Sequence, residues 1–218
     1  MAQFEKLFSF WNELTDAEKE YIENASYTEE YNKGMLMHRT DGSCKGLMTV
    51  LNGQLRTYIL SEEGREVTLF RVNAEEVCVL SASCLMDSIT FDVLIEATED
   101  TNVLVIPAAV LNQVAQKNPY VELFLYKSAT EKFSDVMWTM QQMLFLKIDQ
   151  RVAQFLWDEM VQKNSMTLSI THDEIARFIG SAREVVTKVL KYMVKENVVE
   201  LKRGTIIITD KDKLKSYM

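Results

Sequence analysis

Histidine and cysteine are scarce in this 218-residue chain, with two of the first and three of the second. A metal site in a small β-barrel enzyme generally needs two or three histidines and a carboxylate. His38 and His172 are too few for that set, and they fall in different halves of the chain. No nucleophile–base pairing and no phosphate-cradling glycine loop is visible either, so no enzymatic activity is expected. An odd cysteine count without secretory context implies reduced thiols in a cytoplasm. The longest apolar stretch, around Val103 to Leu111, contains Pro107 and is far too short to cross a bilayer. The start, MAQFEKLFSFW, lacks the basic residues and apolar run of a signal peptide. A soluble cytoplasmic protein with no membrane partner is expected.

Positive charge is also in deficit, with a formal net charge of −8. The deficit is local. Residues 149–218 carry twelve Lys/Arg against ten Asp/Glu, whereas residues 1–148 carry twelve against twenty-two. An acidic part would suppress non-specific contact with a polyanion while a basic face in the other part remains available. Acidity therefore does not exclude a nucleic-acid partner.

What is present is most legible in residues 167–208, TLSITHDEIARFIGSAREVVTKVLKYMVKENVVELKRGTIII. Thr171 followed by Glu174, and Ser181 followed by Glu184, read as two capping boxes ten residues apart. Only a short turn fits between them, and Gly180 supplies its permissive backbone. The first helix would bury Ile175, Ala176 and Ile179, and the second Val186, Val189, Leu190 and Met193. Arg183, Glu184, Thr187, Lys188 and Lys191 stay off that apolar stripe, as on a recognition helix entering a major groove. A hairpin from Val198 to Ile208 turns at Lys202-Arg203-Gly204 and gives a basic tip. The motif is a winged helix-turn-helix.

Upstream, residues 4–24 read as short amphipathic helices, with Thr15 and Glu18 marking a capped start. From Gly34 to Ile106 the period changes to two, with strands expected at 47–51, 55–60, 66–72, 91–97 and 103–106, and turns at Asn52-Gly53 and Glu63-Gly64. Short strands at this spacing suggest a barrel or jelly roll. Pro119 opens a helical run ending near Lys147. Along it Ala129, Phe133, Val136, Met140 and Met143 alternate steps of four and three, the seam of a coiled coil. Met137 and Leu144 form a flanking row expected to rest on the strands while the first row faces a second copy. A hinge is expected at Ile148-Asp149, followed by a helix over 149–162 that buries Val152, Phe155, Leu156 and Met160.

The run DEIARFIGSAREVVTKVLKYMVKENVVELKRGTIIITD resembles the C-terminal domain of the Crp/Fnr regulators, and the strand-rich part around LNGQLRTYILSEEGREVTLFRV extends the resemblance over the whole length. It implies an α+β chain: an N-terminal double-stranded β-helix of the cyclic-nucleotide-binding type over 1–110, a dimerisation helix over 111–148 and a winged helix-turn-helix over 149–218. It also implies a homodimeric transcription regulator reading an inverted repeat, with RNA polymerase as a partner if it activates. The family's Arg-Glu pair at the start of the recognition helix is matched by Arg183 and Glu184. Lys188 stands where many members have a second arginine. These three are the candidate base readers, since arginine can pair with guanine and glutamate with the cytosine amino group. Thr171, Ser181, Thr187, Lys202 and Arg203 are candidates for phosphate contact.

The departure from the family lies in VCVLSASCLMDSITFDV, residues 77–93. Nucleotide-binding members carry a Gly-Glu pair and then an Arg-Ser or Arg-Thr pair there, and neither occurs here. No Arg or Lys lies between Arg71 and Lys117, so a buried cyclic phosphate would be poorly compensated, which argues against cyclic AMP. Cys78, Ser81, Ser83, Cys84, Ser88 and Thr90 form the candidate effector pocket, suited to a weakly polar ligand or to a Cys78–Cys84 dithiol switch. They could equally satisfy loop carbonyls or stay as buried thiols. With Cys44 the only other cysteine, an iron–sulfur cluster would lack its four ligands. Haem through His38 or a cysteine stays open, while a histidine beside a strand is usually structural. His172, following a helix cap, is expected to face DNA or solvent. The competing functions are effector-independent DNA binding and, more remotely, a cupin-type metal enzyme.

Overall fold

The computed structural model describes residues 2–38, 45–81 and 93–218. The chain opens with α1 (Ala2–Leu7), a single 3-10 turn (Trp11–Glu13) and α2 (Asp16–Ala25). At the start of α2 the Thr15 hydroxyl accepts from the Glu18 N–H at 3.3 Å, and the Glu18 carboxylate accepts from the Thr15 N–H at 2.8 Å, the reciprocal cap that the sequence implies.

Among the described residues eight strands follow: β1 (Tyr27–Tyr31), β2 (Leu36–His38), β3 (Gly46–Asn52), β4 (Gln54–Leu60), β5 (Glu66–Asn73), β6 (Val77–Cys78), β7 (Leu94–Ala97) and β8 (Thr101–Pro107). They form two four-stranded sheets, ordered β1-β8-β3-β6 and β2-β7-β4-β5. Thr68, Phe70 and Val72 of β5, and Ile95 and Ala97 of β7, are buried at every second position, as strands with one face in a core must be. In β3 the alternation fails because the strand lies between two others and also packs against α3 (Ala108–Ala115), so Leu47, Met48, Thr49 and Val50 are all buried. The polar strand β1 and the two- and three-residue strands β6 and β2 carry too little periodic signal to be expected from sequence. Residues 91 and 92 of the expected fourth strand lie outside the described residues.

After α3 come α4 (Pro119–Phe145) and α5 (Ile148–Lys163), then β9 (Thr167–Leu168), α6 (His172–Ile179), α7 (Arg183–Lys195), β10 (Val199–Lys202), β11 (Thr205–Ile208) and α8 (Lys211–Ser216). The expected hinge at Ile148-Asp149 is corrected: both residues belong to the first turn of α5, and the helical run breaks at 146–147. Lys147 is extended there, and its N–H donates to the Gln150 side chain at 2.9 Å, which starts a new helix.

The chain divides into two compact units, residues 1–59 with 69–136, and residues 60–68 with 137–218. The first is built on a core running from Phe8 and Trp11 through the strands to Leu111, Val121 and Leu125. In the second, α5 supplies Val152, Phe155, Leu156 and Met160, α6 supplies Ile175 and Ala176, and α7 supplies Val186, Leu190 and Met193. The strand β9, too short to show a period, pairs with β11 and completes a three-stranded sheet, order β10-β11-β9.

Along α4 the two apolar rows are not disposed as expected. Ala129 and Val136, assigned to the outward seam, pack against the first core beside Val121 and Leu125. Met137 and Leu144, expected to rest on the strands, are exposed together with Phe133 and Met140, while Met143 is half-buried. The core-facing row is set by Val121 and Leu125, earlier in the helix than the segment on which the seam was counted.

The β3–β4 turn gives a stability test. Gly53 has φ +84°, and a Cβ there would come within 2.6 Å of the Asp100 carbonyl oxygen and 2.7 Å of Thr101 Cα. Gly204 has φ +69° but nothing within 4 Å of the same position. In urea unfolding, Gly204→Ala should cost about 1 kcal/mol of left-handed strain, and Gly53→Ala should add a backbone clash for a total of roughly 3 kcal/mol or more.

Candidate nucleic-acid interface

The Thr171–Glu174 box is present at the start of α6: the Thr171 N–H and hydroxyl both donate to the Glu174 carboxylate at 2.8 Å, and the Glu174 N–H returns to the hydroxyl at 3.2 Å. The helix ends at Gly180, φ +64°, with the Gly180 and Ser181 N–H groups both directed to the Ala176 carbonyl, a Schellman-type closure. The remaining carbonyls at this end are taken by side chains of the same compact unit. Arg151 Nη1 donates to Ile179 O at 3.0 Å, Thr68 Oγ1 to Arg177 O at 3.3 Å, and Arg65 Nη2 to Gly180 O.

This closure corrects the second expected capping box. The Ser181 main chain belongs to the closure of α6, so the N-cap of α7 is Ala182, which makes no side-chain cap, and Glu184 becomes the second residue of the helix. Arg183 and Glu184 thus lie in the first turn of α7, exposed, with Val185 and Lys188 exposed beside them. Val186, Leu190 and Met193 on the opposite side have no exposed surface. The helix therefore shows its polar edge outward with its N-terminus leading, the orientation in which side chains reach base edges.

The candidate phosphate contacts divide. Lys202 and Arg203 are exposed at the tip of the β10–β11 hairpin, and the Lys202–Glu200 pair at 3.5 Å is too solvated to hold the amine firmly. Ser181 is half-buried. The Thr171 proton is committed to Glu174. Thr187 donates to the Arg183 carbonyl at 2.8 Å and meets His172 Nδ1 at 3.0 Å. Burial, then the positive charges of Arg183 and Lys191, lower the His172 pKa below its ordinary value.

In the candidate effector segment only Cys78 and Ser81 fall among the described residues; Ser83, Cys84, Ser88 and Thr90 lie outside them, as do Cys44 and the side chain of His38. Ser81 is buried, its hydroxyl donating to Cys78 O and accepting from the Met48 N–H at 3.0 Å. Cys78 is fully buried, and burial pushes its thiol up from 9.0 to about 11. One feature escaped the cation count in the sequence. Arg56 on β4 is 1% exposed, pairs with Glu96 at 2.8 Å and lies 4.2 Å from the Tyr58 ring centre. Arg56 precedes the cation-free stretch between Arg71 and Lys117, and the sheet brings β4 alongside β7. Among the described residues, no group of three or more His, Cys, Asp or Glu is placed to hold a metal, and no helix is long and apolar enough to cross a membrane.

The buried thiol is testable. In a Cys44→Ser, Cys84→Ser background, Cys78 should react with a thiol reagent at neutral pH only as the protein unfolds, because the thiolate is the reactive species. Since the folded pKa is raised, protection holds as pH climbs past 9.0 and weakens only toward about 11.

Residues 150–217 match the Crp-like helix-turn-helix domain, and residues 28–118 match the cyclic nucleotide-binding domain. The crystal structure of a Crp/Fnr-family transcriptional regulator from Eubacterium rectale is similar at TM-score 0.92 and 42% identity, over 97% of this chain and 98% of that one. The cAMP-activated global transcriptional regulator CRP of Salmonella typhimurium is 23% identical over 201 residues, 89% of this chain and 95% of its own length. The c-di-GMP-responsive regulator CLP of Xanthomonas campestris shares the fold at TM-score 0.77 and 18% identity, over 90% of this chain and 100% of that one. A β-sheet domain, a long helix and an outward-facing recognition helix agree with these matches, and the chain belongs to the Crp/Fnr family of DNA-binding transcription regulators.

Proposed function

We propose that the protein acts in the cytoplasm as a homodimeric regulator reading an inverted repeat. The observation that carries this is the first turn of α7, where Arg183 and Glu184 are exposed ahead of a helix whose other side is sealed into a core. Arg183 donates to guanine and Glu184 accepts from cytosine, with Lys188 one turn further on as a point charge lacking arginine's planar fork. Lys202 and Arg203 hold the phosphate backbone from the wing, with Ser181, Thr171 and Thr187 contributing where their local hydrogen bonds exchange. The domain limits proposed are 1–110, 111–148 and 149–218.

The second copy docks along α4 through Phe133, Met137, Met140 and Leu144, which recur in steps of four, three and four, with Met143 at the margin. Phe133 is 63% and Leu144 62% exposed. An apolar row of this kind on one long helix is what a self-complementary partner covers. Two recognition helices would then sit about one duplex turn, roughly 34 Å, apart.

The effector is one other than cyclic AMP, because residues 77–93 lack the cation that a cyclic phosphate needs and buried Arg56 is already paired with Glu96. Binding without any effector is the second reading, supported by the burial of Cys78 and by the use of Ser81 in bonding the main chain. RNA polymerase is the further partner if the protein activates.

Selection from a random DNA pool at fixed salt tests the proposal. The chain should recover an inverted repeat. Arg183→Ala should lose about 1–3 kcal/mol on that site and relax the preference at one position per half-site. Lys202→Ala should weaken binding evenly across sequences and lower the salt slope by about one per protomer. Recovery of an unrelated, non-symmetric set of sequences, unchanged in Arg183→Ala, would contradict the proposal.

A further inference from the structure

His172 is the first residue of α6, yet its ring is held by α7. Its Nδ1 lies 3.0 Å from Thr187 Oγ1, and that hydroxyl gives its one proton to the Arg183 carbonyl at 2.8 Å. A hydroxyl that has donated offers only lone pairs, so the hydrogen between the two groups sits on Nδ1. The tautomer is thereby set from the recognition helix, and Nε2 is the ring nitrogen left over. In the neutral ring Nε2 is a bare acceptor and repels a phosphate oxygen. In the imidazolium it is a donor carrying positive charge.

We infer that His172 is a protonation-linked DNA contact, its Nε2 donating to a backbone phosphate when the ring is charged, so that each protomer takes up a proton as it binds. This rests on the DNA-binding reading above.

The charged groups around the ring decide the sign. From α7, Arg183 and Lys191 act on it, and with burial they disfavour the charged form in the free protein. On α6 itself the neighbouring carboxylates are engaged elsewhere, Asp173 with Arg177 at 3.2 Å and Glu174 with Thr171. Of the other elements packed on α6, α5 brings Arg151 to the far end of the helix, at Ile179, and residues 60–68 bring Arg65 to Gly180. Among the described residues, the α6 carboxylates beside the ring already have partners, and burial with the two α7 cations outweighs them before DNA arrives. A phosphate is the missing anion, and its approach reverses the balance. The complex binds more protons than the free protein, so affinity rises as pH falls through the histidine range and is flat well above it. The same two cations would assist the phosphate, which places His172 within the basic face and not beside it.

The test is duplex affinity for the selected site, measured between about pH 8 and about pH 5.5 at constant salt, with His172→Gln as the comparison. Glutamine keeps a donor near Thr187 and does not titrate. The native protein should tighten by up to roughly tenfold per pH unit per protomer at the steepest point, and His172→Gln, whatever its absolute affinity, should stay flat over the same range. Proton NMR gives a second readout. With only two histidines in the chain, the resonance lost in His172→Gln should titrate at higher pH with DNA bound than without. A flat native profile, or the same slope in His172→Gln, overturns the inference while leaving DNA binding intact. Absence of specific binding at every pH overturns the DNA-binding reading and this inference with it.

Discussion

A helix of 27 residues with apolar side chains on more than one face cannot bury them all against a single small domain. That constraint on α4 organises the rest. One row, Val121, Leu125, Ala129 and Val136, is covered by the first core. The other, Phe133, Met137, Met140 and Leu144, is left in solvent, where each large side chain forgoes about 1.5–3 kcal/mol of burial. A second copy of the helix, as proposed, would relieve that cost symmetrically. Symmetry at this seam is what would turn two separate recognition helices into a reader of inverted repeats.

The recognition helix depends on a different economy, that of main-chain hydrogen bonds. The turn between α6 and α7 is too short to cap both helices with side chains. Gly180 and Ser181 close α6, which leaves α7 to begin at Arg183 without a cap. The uncapped N–H groups and the candidate base-reading side chains thus share one exposed helix start, whose partial positive charge suits an anion. Carbonyls at the end of α6 are tied down by Thr68, Arg151 and Arg65, so the close of that helix is held from several directions.

Much of this was legible in the sequence, for physical reasons that can be named. The Thr15 and Thr171 boxes, the Gly180 turn, the core positions of α7 and the basic hairpin tip are local, and each was read from residues within one or two helical turns. The strands β3, β4, β5 and β8 were legible because alternation or apolar runs marked them. The misreadings needed tertiary knowledge. Ser181 looks like a cap until the closing of α6 claims it. Along α4, Phe133 and Met140 are outward as expected, but Ala129 and Val136 exchange places with Met137 and Leu144, because period alone does not say which face the core covers. Arg56 was passed over because the search for a cation followed sequence neighbours and not strand neighbours. The His172–Thr187–Arg183 chain joins two helices at three positions, and no local pattern announces it.

Sedimentation equilibrium on the native chain and on Met137→Asp with Leu144→Asp tests the central claim most directly. The account predicts a dimer at low micromolar concentration for the native chain, and a folded monomer, by circular dichroism, for the double variant. A native chain that stays monomeric, or a double variant that stays dimeric, would contradict the assignment of the exposed α4 row to a second copy.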